Sequence, residues 1–416
     1  MIAQESPYCV PERFGNQYIY AEEDVVVQSD IEYGLSQTVD GIWEPQLMDI
    51  YTVDPVLDSL DKRPLVIVLH GGGFKTGDKT DYLVVESMLA LARSGYTAAT
   101  FNYRLGYDEP SGPCSADPDD IRRAAYRALQ DCHAAMRFLF HHQDTYEIDT
   151  SFVFAGGVSA GGTLASLLHY GTPEYFNEFF PSLPLELGPL NTTGNDLDDE
   201  FHIDGLIMAW GSFPPFLDIT SDNVIPIVTY HGANDSVVPI GNGTFNNCPD
   251  YPLTVGPDVY IPDVDAAGGA CYDYNRSPDG EHNISMYGEF YIKNRTMCFM
   301  KSIMCNSCES SQQEEGDPTC PELGVGLSEN DQENTRLRVV PNPIEGRTVC
   351  LEGQGITGPL TVEIYDSNGR STDSPARIDL SSGNHCLEIE GLRSGIYHLK
   401  VISTDGDVQT LDFLIR

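Results

Sequence analysis

The chain has 416 residues, of which 41% are hydrophobic, so it is long enough for two or three domains and a sizeable core. Its net charge of −40 argues against nucleic acid as a partner, because binding to phosphate requires basic patches. No apolar run approaches the roughly 18 residues that a membrane-spanning helix needs, so we expect no membrane span.

Between residues 25 and 304, strand-like apolar runs alternate with helix-like runs. The sequence predicts strands at 25–27, 47–51, 65–69, 96–101, 152–155, 206–210, 225–230 and 271–274, and helices at 81–93, 119–142, 163–168 and 284–304. Such alternation indicates an α/β fold with a doubly wound, mostly parallel sheet that helices cover on both faces. Residues 174–201 interrupt the alternation with polar residues, glycine and proline, and we expect a surface or cap insertion there.

The C-terminal part of the chain has a different pattern. Residues 306–335 are acidic and poor in hydrophobic residues, which is typical of a linker. Short alternating runs at 337–340, 360–365 and 395–401, separated by turn residues, predict a small all-β sandwich. The predicted domains are therefore a catalytic domain at 1–305, the linker at 306–335 and the sandwich at 336–416.

Eleven cysteines are many for a cytosolic enzyme, and they indicate disulfides in an exported protein. Cys350 could pair with Cys386, and Cys248 with Cys271, although connectivity does not follow from sequence. The odd count leaves at least one thiol unpaired. Cys305 and Cys308 have the spacing of a zinc half-site, but a second pair or two histidines at metal spacing are missing, so we expect no metal and no cofactor.

The most informative motif is Gly157-Val158-Ser159-Ala160-Gly161, which lies between a predicted strand and a predicted helix. Glycines two residues before and after a serine allow the sharp, strained turn that exposes a nucleophile. The same turn occurs in hydrolases that use serine, then an acidic residue, then histidine along the chain. We therefore predict Ser159 as a catalytic nucleophile.

Two later residues complete the predicted triad. Asp235 follows the strand that ends at Tyr230, at the carboxyl edge of the sheet where active sites form. His282 lies in a loop between the last predicted strand and the last helix. A serine needs a base to take its proton and an acid to orient that base, which predicts these roles for His282 and Asp235.

Glycine-rich residues 70–73 directly follow the strand at 65–69. Glycine lets the backbone approach a substrate oxygen closely, and preset N–H donors stabilise a tetrahedral oxyanion. We predict that the N–H groups of Gly72, Gly73 and Ala160 form this oxyanion hole.

These residues resemble the α/β-hydrolase superfamily, and within it the carboxylesterases that carry an HGGG motif. The resemblance extends over roughly residues 20–304 and includes Asn102-Tyr103-Arg104-Leu105 and the helix 130–139. It implies the same roles for Ser159, His282 and Asp235. The cysteine-bearing segment 241–280 departs from the family pattern.

The C-terminal segment resembles the sorting domain of the bacterial type IX secretion system. The matching residues are 341–343, 362–370 and 392–401. This resemblance implies export across the outer membrane, a secreted or cell-surface location and contact with the secretion machinery.

Several residues are rivals for these roles. Asp204 and Asp218 could replace Asp235, and His231 could replace His282, although His231 is better explained as structural. His70 is expected to shape the glycine loop. We expect Arg104 to form a buried ion pair, and the histidines of the long helix to serve in packing or to face solvent.

The sequence thus predicts a secreted serine carboxylesterase that needs no cofactor and cleaves ester bonds on a small molecule or a polymer. Short acyl or aromatic esters on plant or algal polysaccharides are the first choice. A lipase or polyesterase and a serine exopeptidase of the same fold are alternatives from related chemistry. A catalytically inactive adhesion module is the non-enzymatic alternative, and the complete triad argues against it.

Overall fold

The structure is a computed structural model of the chain, and it describes residues 6–10, 13–58, 60–283 and 288–314 together with strands between 336 and 415. It divides into two compact units, Met1–Val325 and Gly326–Arg416. Residues 315–335, which form most of the predicted linker, and residues 341–343 lie outside the described part. The predicted boundaries at 305 and 335 therefore stay predictions.

Most of the first unit is an α/β structure. Its strands are β1 (Val25–Gln37), β2 (Trp43–Val53), β3 (Arg63–Leu69), β4 (Thr97–Phe101), β5 (Ile148–Val158), β6 (Gly205–Ala209), β7 (Ile227–Gly232), β8 (Asn242–Thr244), β9 (Leu253–Val255), β10 (Tyr272–Ser277) and β11 (Ser311–Gln313). Its helices are α1 (Tyr82–Arg93), α2 (Pro118–His141), α3 (Ala160–Tyr170), α4 (Pro173–Phe179), α5 (Ser182–Leu187), α6 (Pro257–Ala267) and α7 (Gly288–Met304), with 3-10 turns at Glu22–Asp24 and Phe245–Asn247.

Among the described residues, nine strands form one sheet in the order β1-β2-β4-β3-β5-β6-β7-β10-β11. Strand β2 runs antiparallel to both of its neighbours, and all the other pairs are parallel. Every residue of β3, β4, β6 and β7 is buried, as expected for central strands that helices cover on both faces. The predicted doubly wound, mostly parallel α/β sheet is confirmed.

Helix α2 shows how the sequence sets a local element. Its N-cap Asp117 accepts a hydrogen bond from the backbone of Asp119, and Pro118 occupies the first turn, where its missing N–H costs nothing. Its apolar face packs into a buried cluster that also includes side chains from β3 and α3. None of the helices in the described part combines the length and apolar character needed to cross a bilayer.

The structure adds elements that the sequence patterns did not predict. Residues 174–201 include most of α4 and all of α5, and residues 241–280 contain a small β8–β9 ribbon and α6. Strand β11 pairs in parallel with β10, so the sheet continues past residue 305. Short polar strands such as β11 carry too little hydrophobic pattern to be recognised without their neighbours.

The disulfides correct one predicted pairing. Cys248 is bonded to Cys114 and Cys271 to Cys308, so the predicted Cys248–Cys271 pair is wrong. The two sulfurs face different elements of the fold, and only spatial proximity decides such pairing. Cys350 does pair with Cys386.

The cysteines considered for zinc are also engaged in disulfides. Cys305 pairs with Cys9 and Cys308 with Cys271, which removes both thiolates of the half-site. Cys298 is disulfide-bonded as well. Cys132 is a free cysteine buried on α2.

The second unit contains only strands among its described residues. They are β12 (Arg336–Val340), β13 (Thr348–Gln354), β14 (Pro359–Asp366), β15 (Ala376–Asp379), β16 (Asn384–Glu388), β17 (Gly395–Ile402) and β18 (Val408–Ile415). They form two antiparallel sheets, β12-β13-β16 and β15-β14-β17-β18. Val362 and Ile364, two residues apart on one face of β14, are both buried, which is the period expected of a half-buried strand. The second unit is therefore all-β, as predicted.

Candidate active site

Ser159 occupies a strained turn between β5 and α3. Its backbone has φ 55° and ψ −120°, a conformation that costs a non-glycine residue of order 1–3 kcal/mol and is found at functional sites. The N–H of Ser159 donates to the carbonyl of Ala209 at 2.8 Å, which anchors the turn to β6. The serine side chain is thereby presented at the carboxyl edge of the sheet.

The flanking glycines are needed because the backbone of β3 passes very close to this turn. A Cβ on Gly157 would lie 2.5 Å from the carbonyl oxygen of Leu69, and one on Gly161 would lie 2.2 Å from the same oxygen. Backbone atoms of a central strand cannot move aside. The spacing of the motif is therefore a steric requirement of the fold.

The structure brings the three predicted triad side chains together from distant parts of the chain. Ser159 Oγ lies 2.9 Å from Nε2 of His282, and Nδ1 of His282 lies 2.8 Å from Oδ2 of Asp235. With Nδ1 donating to the carboxylate, Nε2 is left as the acceptor for the serine hydroxyl. This geometry permits a proton to pass from the serine to the imidazole.

The loops that carry Asp235 and His282 are tied to each other by backbone contacts. Asn234 N–H donates to the carbonyl of Gly280 at 2.8 Å, and Ala233 N–H donates to that of Ser277 at 2.8 Å. A Cβ on Gly232 would lie 2.4 Å from the carbonyl oxygen of Glu281, so only glycine permits this approach. The irregular segment 241–280 therefore ends in a loop that the end of β7 holds in position.

Asp235 is buried and is kept ionised by its neighbours. Its Oδ1 accepts the N–H groups of Val237 and Val238 at 2.8 and 2.9 Å. Burial raises the pKa of this carboxyl, but hydrogen bonds from His231 and His282 and from the backbone outweigh it and hold the pKa below its usual range. The carboxylate can therefore orient His282 and stabilise its charged form.

The residues that the sequence offered as alternatives to Asp235 and His282 do not lie at the nucleophile. His231 is fully buried, and its Nε2 lies 2.8 Å from the carbonyl of Val238 and 3.3 Å from Asp235, so it braces the carboxylate. Asp204 accepts the N–H of Val153 on β5, and Asp218 is exposed. Arg104 forms the expected buried ion pair, with Asp131 at 2.9 Å.

The glycine loop after β3 lies against Ser159. Gly72 and Gly73 have φ of 102° and 63°, and a Cβ on Gly72 would lie 2.0 Å from the carbonyl oxygen of Thr76. Within the described part of the chain, the N–H groups of Gly72, Gly73 and Ala160 have no hydrogen-bond acceptor. Ala160 is also the first residue of α3, where the helix dipole favours negative charge.

His70 packs against the glycine loop and helps to hold its conformation. Its ring stacks on Tyr103 with 4.1 Å between centroids, and its Nδ1 lies 2.8 Å from the carbonyl of Gly71. Burial lowers the pKa of His70, so the ring is neutral and acts as a structural element, as the sequence suggested.

Two hollows meet at the glycine loop. An open cleft of about 650 Å³ contains Ser159 and His282. Its lining includes the polar side chains of Lys75, Asp81, Glu109, Asn246 and Asn283 together with apolar and aromatic ones. A second, narrower cavity of about 180 Å³ borders Gly73 and Ala160.

The narrower cavity is lined mainly by apolar side chains from separate segments. They include Ala125 on α2, Phe176 on α4, Leu183 on α5, Phe213 after β6 and Phe245 in the 3-10 turn. Three aromatic residues of the otherwise polar segment 174–201, Tyr175, Phe176 and Phe180, line this cavity. Sequence reasoning missed every one of these residues, since none belongs to a motif.

Trp210 is a further cleft residue without a sequence signal. It directly follows β6, has φ 44° and is buried. Its ring centroid lies 6.5 Å from that of His282 in an edge-on arrangement. Trp210 therefore forms the wall behind the imidazole.

Comparison with known proteins gives one family match. Residues 48–183, about a third of the chain, match the family described as BD-FAE. This range includes the glycine loop and Ser159 and ends before Asp235. No curated protein sequence matches the chain.

Solved structures with similarity to this chain include several esterases. A truncated carbohydrate esterase from gut microbiota is 17% identical, with 68% of this chain and 98% of that chain covered and a TM-score of 0.46. Esterase 2 of Thermogutta terrifontis is 14% identical, with 71% and 100% covered and a TM-score of 0.44. Esterase B of Lactobacillus rhamnosis, inhibited by a tributyrin phosphonate, is 19% identical, with 68% and 87% covered and a TM-score of 0.43.

These identities and TM-scores are low, so the fold assignment depends on the strand order and on the turn at Ser159. A mostly parallel sheet with the serine on a sharp turn between a strand and a helix is the arrangement expected from the sequence resemblance, and the structure shows both features. The strand order and the turn at Ser159 are those of the α/β-hydrolase fold, and the cleft that contains Ser159 and His282 lies at the carboxyl edge of the sheet.

Proposed function

We propose that this protein is an exported carboxylesterase that uses Ser159 as nucleophile, His282 as general base and acid, and Asp235 to orient His282. The observation that carries the proposal is the continuous relay from Ser159 Oγ to His282 at 2.9 Å and on to Asp235 at 2.8 Å. Distances of this length are within the reach that proton transfer requires.

The reaction follows from this arrangement. Ser159 Oγ attacks the ester carbonyl carbon while its proton passes to Nε2 of His282. The carbonyl oxygen becomes an oxyanion that accepts hydrogen bonds from the free N–H groups of the glycine loop and of Ala160. His282 then gives the proton to the departing alcohol, and an acyl-enzyme remains. Water attacks the acyl-enzyme with His282 again as base, which releases the acid and restores Ser159.

The two hollows suggest where each half of the ester binds. The alcohol oxygen must lie at Nε2 of His282 to be protonated, so the alcohol occupies the open cleft that His282 lines. The apolar cavity borders Gly73 and Ala160, two predicted oxyanion donors, and His282 is absent from its lining. The acyl group of the same ester extends into that cavity.

The sizes and polarities of the hollows favour an apolar acyl group and a polar alcohol. An apolar cavity of about 150 Å³ takes a benzene ring. The cavity of about 180 Å³ therefore suits one aromatic ring or an acyl chain of about six carbons. The open cleft, which has carboxylate, amide and ammonium groups among its lining residues, suits a hydroxyl-rich alcohol such as a sugar. This supports aromatic esters of polysaccharides over acetyl esters.

A lipase or polyesterase is the second candidate, and one observation favours it. The mouth of the apolar cavity carries Phe216 and Leu253, which are 58% and 51% exposed. Phe179 stacks on Phe216 with 5.4 Å between ring centroids. An apolar rim of this kind would also suit a hydrophobic chain that extends out of the cavity.

Export is proposed on separate grounds. Disulfides persist in oxidising compartments, and the first unit contains Cys9–Cys305, Cys114–Cys248 and Cys271–Cys308. The C-terminal segment resembles a type IX sorting domain, which would contact the secretion machinery. In a bacterium that has this system, the full chain should reach the medium or cell surface, whereas a chain that ends at residue 335 should stay in the periplasm. Equal export of both chains would contradict the sorting role.

The catalytic proposal is tested by Ser159→Ala. A fluorophosphonate probe should label the native protein and not the variant, and hydrolysis of p-nitrophenyl butyrate should disappear in the variant. Ser87→Ala is a matched control, because Ser87 lies on α1 and bonds only to the carbonyl of Leu83 among the contacts described. Ester hydrolysis retained by Ser159→Ala would refute the proposal.

A further inference from the structure

One of the two residues that lie between the hollows comes from an insertion without a motif. Residues 242–255 form β8, the 3-10 turn Phe245–Asn247 and β9, shortly after Asp235. Gly73 and Phe245 are the residues that line both the open cleft and the apolar cavity among the described residues. Phe245 is therefore positioned as the side-chain partition between them.

The ring of Phe245 packs directly on the glycine loop. Its Cζ lies 3.1 Å from the point that a Cβ on Gly73 would occupy. The aromatic ring thus covers the α-carbon of Gly73, one of the predicted oxyanion donors. An ester carbonyl bound there would have the Phe245 ring beside it, with the acyl group on one side and the alcohol on the other.

The position of Phe245 is supported by a chain of side-chain contacts that returns to the glycine loop. Its ring stacks on Tyr251 with 6.1 Å between centroids and 20° between planes. The hydroxyl of Tyr251 donates to Glu109 at 2.8 Å and accepts the N–H of Ala116 at 3.0 Å. Glu109 in turn accepts from Lys75 at 2.8 Å, two residues after Gly73. Hydrogen bonds from Lys75 and Tyr251 lower the pKa of Glu109, which keeps it charged.

The backbone of the turn is also constrained. Asn246 N–H donates to the carbonyl of Val237 at 2.8 Å, and Phe245 N–H donates to that of Pro252 at 3.1 Å. Asn246 and Asn247 have φ of 57° and 52°, a left-handed conformation that asparagine tolerates better than most residues. These contacts leave the Phe245 ring little freedom to leave the partition.

A disulfide attaches this turn to the loop before α2. Cys248, directly after the turn, is buried and bonded to Cys114, with 5.3 Å between their α-carbons. Cys114 lies two residues before Ala116, whose N–H holds Tyr251. The disulfide and the Tyr251 contacts therefore hold the same two segments together at neighbouring points.

We propose that Phe245 is a specificity-determining residue, which separates the acyl cavity from the alcohol cleft and limits the width of the acyl group. The Cys114–Cys248 disulfide is its positioning device. This inference depends on the proposed esterase function. The site selects esters in which a narrow apolar acyl group is joined to a polar alcohol, because a wide acyl group would have to displace the Phe245 ring.

The test is Phe245→Ala with two p-nitrophenyl esters, hexanoate and 2-naphthoate, which share one leaving group. Removal of the ring joins the two hollows, so the ratio of kcat/KM for naphthoate to that for hexanoate should rise at least about tenfold, about 1.4 kcal/mol. The change should come mainly from KM for the naphthoate. Phe245→Tyr keeps the ring and should keep the native ratio.

A second variant tests the partition without truncating the ring. Cys114→Ala/Cys248→Ala should move the same ratio in the same direction by a smaller factor. Cys9→Ala/Cys305→Ala is the matched control, because it removes a disulfide that does not involve the Phe245 turn, and it should leave the ratio unchanged.

The outcomes separate the two proposals. If native protein hydrolyses both esters but the ratio stays the same in Phe245→Ala and in the Cys114/Cys248 variant, the partition is wrong and the esterase stands. An equal loss of kcat for both esters in Phe245→Ala would also overturn it, since that points to general damage. If native protein is neither active on esters nor labelled by fluorophosphonate, both proposals fail.

Discussion

The apolar cavity makes a quantitative prediction about acyl chain length. Ala125 lies on α2, is half-buried and lines the cavity, so Ala125→Trp would fill it from one side without touching the triad. The cavity of about 180 Å³ is large enough for about six carbon atoms by comparison with a benzene-sized cavity of about 150 Å³.

The expected size of the effect follows from the burial of methylene groups. A hexanoyl group has four more methylenes than an acetyl group, and burial of each contributes about 0.8 kcal/mol. The sum, about 3 kcal/mol, corresponds to a preference on the order of 100-fold in kcat/KM for hexanoate over acetate in the native protein. In Ala125→Trp the preference should fall below about tenfold, because the added indole occupies the space.

The assay is the initial rate of p-nitrophenyl acetate, butyrate, hexanoate and decanoate hydrolysis by native protein and variant. Leu185→Trp is the matched control, since Leu185 lies on α5, is 86% exposed and is absent from the cavity lining. It should leave the chain-length profile unchanged. Native protein that prefers acetate, or an Ala125→Trp variant that keeps a full preference for hexanoate, would refute the assignment of this cavity to the acyl group.

Three further predictions concern the triad, the glycine loop and acid stability. Asp235→Asn should lower kcat by about 10⁴-fold, because the amide no longer holds His282 in the required tautomer. The circular dichroism spectrum and Tm of the variant should change little. A loss of kcat below tenfold would contradict the role of Asp235. Gly73→Ala should lower kcat by about 10²-fold or more, because the φ of Gly73 is 63° and an added Cβ would lie 3.1 Å from the Phe245 ring. Gly41→Ala, which also has positive φ but lies in the β1–β2 hairpin, should leave kcat unchanged. Equal rates for the two variants would argue against Gly73 as part of the oxyanion hole. Asp58 is buried, and although burial raises its pKa, hydrogen bonds from Arg13 at 2.7 Å and Arg63 at 2.6 Å hold the pKa below its usual range. Its stabilising contribution is therefore complete above the unfolded pKa of about 4 and is lost as pH falls through the lower folded value. Asp58→Asn should destabilise the protein by about 3 kcal/mol at pH 7 and by much less at pH 2, as measured by urea unfolding, and an equal loss at both pH values would contradict this account.

Much of the site could be predicted because its requirements are local. The turn at Ser159 needs glycine at 157 and 161, since a Cβ at either would overlap the carbonyl oxygen of Leu69. The glycine loop follows a fully buried strand, and Asp235 follows another. Each of these features combines a residue type with a position at a strand end, which a sequence displays directly.

Other features depend on which segments meet in space. His231 contacts the carboxylate of Asp235, and the ring of Trp210 packs edge-on against that of His282. Neither the residue types nor their spacing in the sequence indicates those contacts. The pairing of Cys248 with Cys114 instead of Cys271 has the same origin, because a disulfide requires two α-carbons within a few ångströms whatever their separation along the chain.

The α/β sheet, the all-β second unit, the chain order of the three proposed triad residues and the glycines around them could be predicted from the sequence. Periodicity and steric constraints at turns depend on neighbouring residues, so the sequence displays them directly. The shape of the two hollows depends instead on long-range packing. Ala125, Leu183, Phe213 and Phe245 belong to four distant segments, and their side chains line one cavity only when the sheet, helices α4 and α5, and the disulfide-bonded turn pack together.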